Sequence, residues 1–183
     1  YLKKHPAKPP SLRIGATFST KALTSGASAS VKNIIDKSDV VVATYYPLDS
    51  SFAARAPSMV AQDLAGLLAA VEVDGAVPRP ILLQAVGYPS AIESGSSPEQ
   101  QKAFFQALFQ SLTSRRERFP FVSVNGLNDQ RASACASEAA AVGAAGNVAA
   151  ISAFCSLGLR GPAQTDKAAM GSVLDALAAF STP

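Results

Sequence analysis

The chain has 183 residues, a length that suits one domain rather than two, since domains usually hold about 100 to 200 residues. Hydrophobic residues make up 48% and charged residues 16%, which excludes a self-repelling disordered chain, and the Ala-rich stretch from 132 to 153 is too broken by Ser, Glu, Gly and Asn to span a membrane. The formal net charge of +3 is divided between Lys3, Lys4, His5 and Lys8 at one end and Arg115, Arg116 and Arg118 further on, with no aromatic side chains interleaved, so nucleic acid is not an expected partner.

Residues 1–11 read as a lead whose prolines, Pro6, Pro9 and Pro10, disfavour helix. The start carries neither an initiating Met nor an apolar signal core, and reads as a processed or truncated end. Leu12 to Phe18 then reads as a short buried strand, and Ser28 or Ser30 caps a helix whose apolar face holds Val31, Ile34 and Ile35. Val40 to Tyr46 is a continuous β-branched and aromatic run of the kind found in a parallel strand covered on both faces, stopped by Pro47. After Pro57, one stripe of Val60, Leu64, Leu67, Leu68 and Val71 predicts an amphipathic helix.

A third strand is expected over Pro80 to Gly87, ended by the turn Gly87-Tyr88-Pro89-Ser90. Ser97-Pro98-Glu99-Gln100 has the form of a capping box with Pro at the first helical position, and Phe104, Phe105, Leu108, Phe109 and Leu112 follow on one helical face. Phe121 to Asn125 is the fourth strand. Beyond it the signal weakens through Ala132–Gly146 and returns over Val148–Leu159. Lys167 to Phe180 then predicts a last amphipathic helix with Met170, Val173, Leu174, Leu177 and Phe180 on its apolar face.

Strand and helix alternate four times, so the expected fold class is α/β, built from right-handed β/α units around a parallel sheet. A (β/α)8 barrel needs about 250 residues. The whole chain, 1–183, is therefore expected to be a single (β/α)4-type half or partial TIM barrel, with a small open α/β sheet as the alternative. A half-barrel standing alone leaves two strand edges unpaired, at 12–18 and 121–125, which invites a second copy or a missing first half.

Cys135 and Cys155 lie twenty positions apart; a disulfide and two buried thiols are both open on spacing alone. With one histidine and no CxxC, no protein-built metal site is expected, and no cofactor either. The glycines around 143–146 lack a following Lys-Ser/Thr, and the serines form no nucleophile elbow, so nucleotide and esterase chemistry are poor readings. Ligands of parallel α/β folds bind at the carboxyl ends of the strands. Thr17, Tyr45, Tyr46, Ala85, Tyr88, Asn125 and Asp129 stand there, a polar and aromatic set that suits sugars, with their apolar ring faces and hydroxyl rims.

Four segments in order, Asp39 to Leu48, Pro80 to Ser90, Ser97 to Phe105 and Ser156 to Arg160, resemble the second half of the retaining (β/α)8-barrel glycoside hydrolases, strands five to eight. The resemblance implies a carbohydrate-active protein acting on β-linked oligosaccharides or polysaccharides, in an extracellular setting. In that family the Gly-Tyr-Pro-Ser turn follows the nucleophilic glutamate, and Ala85 occupies that position here. The resemblance also places Tyr45 or Tyr46 in the strand-six tyrosine region beside the nucleophile, and leaves Thr17, Tyr88, Asn125 and Asp129 as substrate contacts. Retaining hydrolysis needs two carboxyl groups about 5 to 5.5 Å apart, and the family's acid/base lies on strand four, before Tyr1. The chain as given is therefore expected to be inactive. The alternatives are a non-catalytic sugar-binding or self-assembling half-barrel module and an open-sheet protein unrelated to glycosidases. Asp49 and Glu93 are the nearby carboxylates in sequence, both in loops beyond their strands.

Overall fold

The computed structural model describes residues 9, 11–72 and 78–181, so the basic cluster Lys3, Lys4, His5 and Lys8 lies outside the described residues. Four strands, β1 (Gly15–Ser19), β2 (Val40–Tyr45), β3 (Ile81–Val86) and β4 (Phe121–Val124), pair in parallel in the order β1-β2-β3-β4. Sequential neighbours joined by helices are what successive right-handed β/α units produce, and the expected α/β class of parallel β/α units is the one found. The first strand begins three residues later than expected, at Gly15, where an added Cβ would collide with the Val40 carbonyl on the neighbouring strand.

The helices are α1 (Thr20–Thr24), α2 (Ala29–Lys37), α3 (Val60–Val71), α4 (Pro98–Thr113), α5 (Ala132–Ala141), α6 (Val148–Cys155) and α7 (Ala169–Ser181). Local chemistry fixes several starts. Ser28 Oγ accepts from the Val31 N–H at 3.3 Å and Ser97 Oγ from the Gln100 N–H at 3.2 Å, each satisfying an orphan donor of the first turn. The short α1, with Ser19 as its cap, has no large apolar stripe and went unforeseen. In α7, Met170 and Val173 are buried, whereas Leu174, expected on the apolar face, is 58% exposed.

The core lies on one side of the sheet. Val41, Ala43 and Tyr45 of β2 and Ile81, Leu83 and Val86 of β3 pack with Leu64 and Leu67 of α3 and Phe104, Phe105 and Leu108 of α4, all essentially without solvent contact. The opposite face carries Thr17, Val42, Leu82, Gln84 and Phe121. Thr17 and Gln84 are exposed, Val42 and Leu82 are half-buried, and Phe121 is 49% exposed. Parallel sheets are ordinarily covered on both faces, so this face is bare in a way that the continuous apolar run of β2 does not announce.

A second, smaller cluster consists of Ala139, Ala144 and Ala150, with Phe52, Ile151 and Phe154 against it. It belongs to the hairpin of α5 and α6, which is tied by a Cys135–Cys155 disulfide with a Cα–Cα distance of 5.2 Å. Of the two states open from sequence, the bonded one is found. Alanine methyls bury little apolar area, so the cross-link is the hairpin's main constraint. Replacing both cysteines by serine removes a link worth about 3 kcal/mol for a loop of this size. The expected result is faster amide hydrogen exchange across α5 and α6, with β2 and β3 unchanged; a loss spread evenly through the sheet would contradict the separation of the two clusters.

Candidate functional site

Side chains on a strand alternate between faces, and at the end of β2 this sends the two adjacent tyrosines opposite ways. Tyr45 is 2% exposed on the helix side, its ring centroid 5.7 Å from that of Phe104. Its hydroxyl donates to Asp63 Oδ2 at 2.9 Å, and Arg55 Nη1 holds both oxygens of the same carboxylate, at 2.9 and 3.0 Å. Burial first, then the Asp63 charge, push the Tyr45 phenol far above its ordinary range. Tyr88 is fully buried, stacked on Phe104 at 4.6 Å, and donates to the Arg55 carbonyl at 2.8 Å. Both were expected to line the cleft. Both join the helix-side core, and Tyr45 together with Tyr46 also lines a cavity of ≈ 530 Å³ with Arg55 and Asp63.

Tyr46 takes the other direction. Its ring lies against Gly87, where an added Cβ would come within 2.8 Å of Tyr46 Cε1 and 3.2 Å of Leu157 Cδ2, so only glycine leaves the ring this seat. Burial and then the charge of Glu138 push its phenol up to about 12.

Ala85 is half-buried on the bare face, in register with Thr44. No strand residue on this face is acidic: Thr17, Ser19, Val42, Thr44, Leu82, Gln84, Ala85, Phe121 and Ser123 line it. Thr17 Oγ1 reaches Gln84 Oε1 at 3.5 Å, a long contact that spans from β1 to β3 above this surface. Asn125 continues β4, its N–H donating to the Val86 carbonyl at 2.8 Å, with a half-buried side chain.

Asp129, expected as a substrate contact, is occupied otherwise. Its Oδ1 accepts from Lys167 Nζ at 2.6 Å and from the Gly158 N–H at 3.0 Å, and the two charged side chains are each 11% exposed. Lys167 also donates to Ser90 Oγ at 2.9 Å and to the Ser156 carbonyl at 3.1 Å. Burial pulls its ammonium below the ordinary value, and Asp129 opposes that shift. The pair therefore clamps the loops that follow β3 and β4. Gln101, from the segment after the capping box, is fully buried and adds to the clamp, donating to the carbonyls of Tyr88 at 2.8 Å and Gly158 at 3.1 Å.

Asp49 accepts from the Ser51 N–H, the Ser51 hydroxyl and the Ala53 N–H, and these bonds hold its carboxyl below the usual range. Glu93 Oε2 accepts from Ser152 Oγ at 3.2 Å. Asp49 serves its own loop, and Glu93 ties the loop after β3 to α6. The carboxylate whose charge acts on Tyr46 is Glu138 of α5, an exposed side chain whose Oε1 accepts from Gln130 Nε2 at 3.0 Å. Sequence reasoning passed over it, although it is the one charged residue between Ala132 and Leu159. Beside this region a cavity of ≈ 770 Å³ is lined by Asn128, Gln130, Arg131, Ser152 and Gln164, among others. Among the described residues no group of three or more His, Cys, Asp or Glu side chains could hold a metal ion, and no helix is long and apolar enough to cross a membrane.

No protein-family model and no curated protein matches the sequence. The fold matches solved structures. A glycoside hydrolase family 17 β-1,3-glucanosyltransferase from Rhizomucor miehei is 13% identical at a TM-score of 0.55, over 86% of this chain and 49% of that one. An endo-laminarinase from Formosa Hel1_33_131 is 11% identical at 0.58, over 95% and 49%. A β-glucuronidase from Faecalibacterium prausnitzii is 13% identical at 0.61, over 93% and 26%. The chain thus spans about half the length of the first two and about a quarter of the third. At these identities the likeness is one of fold, and the fold is that of a partial TIM barrel of the kind glycoside hydrolases use.

The Tyr46 environment is open to titration. Its folded-state value of about 12 lies above the ordinary 10.0, so its contribution to stability is complete below pH 10 and is lost as the pH rises through 12. Glu138→Gln should lower the Tyr46 value only in part, because burial is the larger cause. Ultraviolet titration of the tyrosines checks this; an unchanged profile would place Glu138 outside the phenol's reach.

Proposed function

We propose that this chain is the second half of a (β/α)8 carbohydrate-active protein, and that its cleft receives β-linked glucan oligosaccharides without cleaving them. Four further β/α units would close against the edges of β1 and β4, turning the bare face into a barrel interior. The observation that carries this reading is Ala85, half-buried on that face at the strand end where the resemblance expects the nucleophilic carboxylate. A methyl group cannot attack an anomeric carbon, and none of the neighbouring strand residues supplies a carboxylate. The printed activities of the fold neighbours, glucanosyl transfer and laminarin hydrolysis, favour a β-1,3-glucan as the ligand, and one of them is complexed with laminaritriose.

The Cys135–Cys155 disulfide fits an oxidising, extracellular compartment. The two open sheet edges also favour a second reading, in which two copies of the chain close on each other in a non-catalytic sugar-binding assembly.

A thermal-shift series against laminaritriose, with xylan and mannan oligosaccharides as comparisons, tests the ligand class. A ligand at about 100 times its Kd stabilises a fold by roughly 2.7 kcal/mol, so a dose-dependent rise with laminaritriose is expected. A folded sample that responds to none of the glycans would overturn the proposal. Ala85→Glu, in a protein carrying the complementary half, is expected to create glycosidase activity where the parent has none; persistent inactivity of that folded variant would count against the assigned nucleophile position.

A further inference from the structure

We propose that the cavity at the end of β2 is a sugar-binding subsite on the helix side of the sheet, in which the Arg55 guanidinium donates hydrogen bonds to the hydroxyls of a neutral glycan. The proposal rests on the carbohydrate reading above and adds to it a contact surface separate from the bare face.

The cavity measures ≈ 530 Å³, within the range of about 300 to 1,000 Å³ in which small ligands are held. Residues of α1, of α3 and of the segment that follows β2 line it, and none of Thr17, Leu82, Gln84 or Ala85 does. It stands on the side of the sheet that the helices of this chain already cover, so a complementary half is not needed to complete it.

Three observations carry the assignment. The first is that Arg55 is held in place. Its Nη1 pairs with both oxygens of Asp63 at 2.9 and 3.0 Å, and the same carboxylate, 10% exposed, accepts from the Tyr45 hydroxyl at 2.9 Å. A buried carboxylate shared in this way fixes the guanidinium before a ligand arrives, which lowers the ordering cost of binding. The second is that the fixed guanidinium can still donate. Among the described residues its Nε and Nη2 have no hydrogen-bond partner, and the side chain is 39% exposed where it lines the cavity. The third is charge balance. Lys21 and Arg55 stand in the lining with Asp49 and Asp63, so the wall offers no net charge to draw in an anion or a cation. Fixed donors and acceptors, together with the apolar surface of Pro47 and Leu48, match the hydroxyl rim and ring face of a sugar.

Laminaritriose is titrated into the isotope-labelled chain and the backbone amide signals are followed by NMR. Shifts are expected in α1 and at residues 46–50 and 62–66, which hold most of the lining, with residues 82–85 unmoved. Arg55→Lys keeps a positive charge against Asp63 but cannot present a second donor edge, so Kd should weaken about tenfold. If that variant fails to fold, the shift map of the parent decides alone. Shifts confined to the bare face, or an unchanged affinity in folded Arg55→Lys, overturn this proposal and leave the carbohydrate reading standing. No binding by the parent overturns both.

Discussion

The constraint on which the rest of the structure depends is the alternation of side chains across a parallel sheet whose helices lie on one side only. Because β2 and β3 send Val41, Ala43, Tyr45, Ile81, Leu83 and Val86 into the helix layer, every intervening residue is delivered to the other face. That face receives Thr17, Val42, Leu82, Ala85 and Phe121, a mixture too apolar for an ordinary surface and too polar for an ordinary core. A barrel interior is the setting in which inward-pointing strand residues of four units meet those of four more. The division of Tyr45 from Tyr46 follows from the same alternation, whereas Ala85 joins Gln84 on this face because the register slips by one residue between Leu83 and Val86.

Above the sheet, polar clamps rather than apolar packing hold the loops. The Lys167–Asp129 pair and the buried Gln101 draw together the segments after β3 and β4 and the end of α6. Gly158 permits the closest approach, since a Cβ there would strike the backbone at Asn128 and Asp129. Breaking such a buried pair from one side leaves an uncompensated charge, which makes the clamp an all-or-none device. The α5–α6 hairpin is held differently, by its disulfide and by the edge-to-face contact of Phe52 with Phe154 at 6.3 Å.

Much of the fold was legible in the sequence, because strong local signals coincided with tertiary needs. The β-branched run of β2, the Ser97-Pro98 start of α4 and its Phe and Leu stripe each satisfied propensity and burial at once. The site was less legible. Spacing puts both tyrosines at the end of a strand but does not say which face the helices cover, and so Tyr45 and Tyr88 were assigned to the cleft. Asp129 looked available because its partner, Lys167, is remote in sequence.

The central claim is that the bare face belongs to an interface, and the solution mass of the chain tests it most directly. Sedimentation equilibrium at tens of micromolar should give a mass above the 18.8 kDa of one chain, and Phe121→Asp, which places a charge on the edge strand of that face, should return it to the single-chain value. A folded parent chain that stays at 18.8 kDa under those conditions would contradict the account.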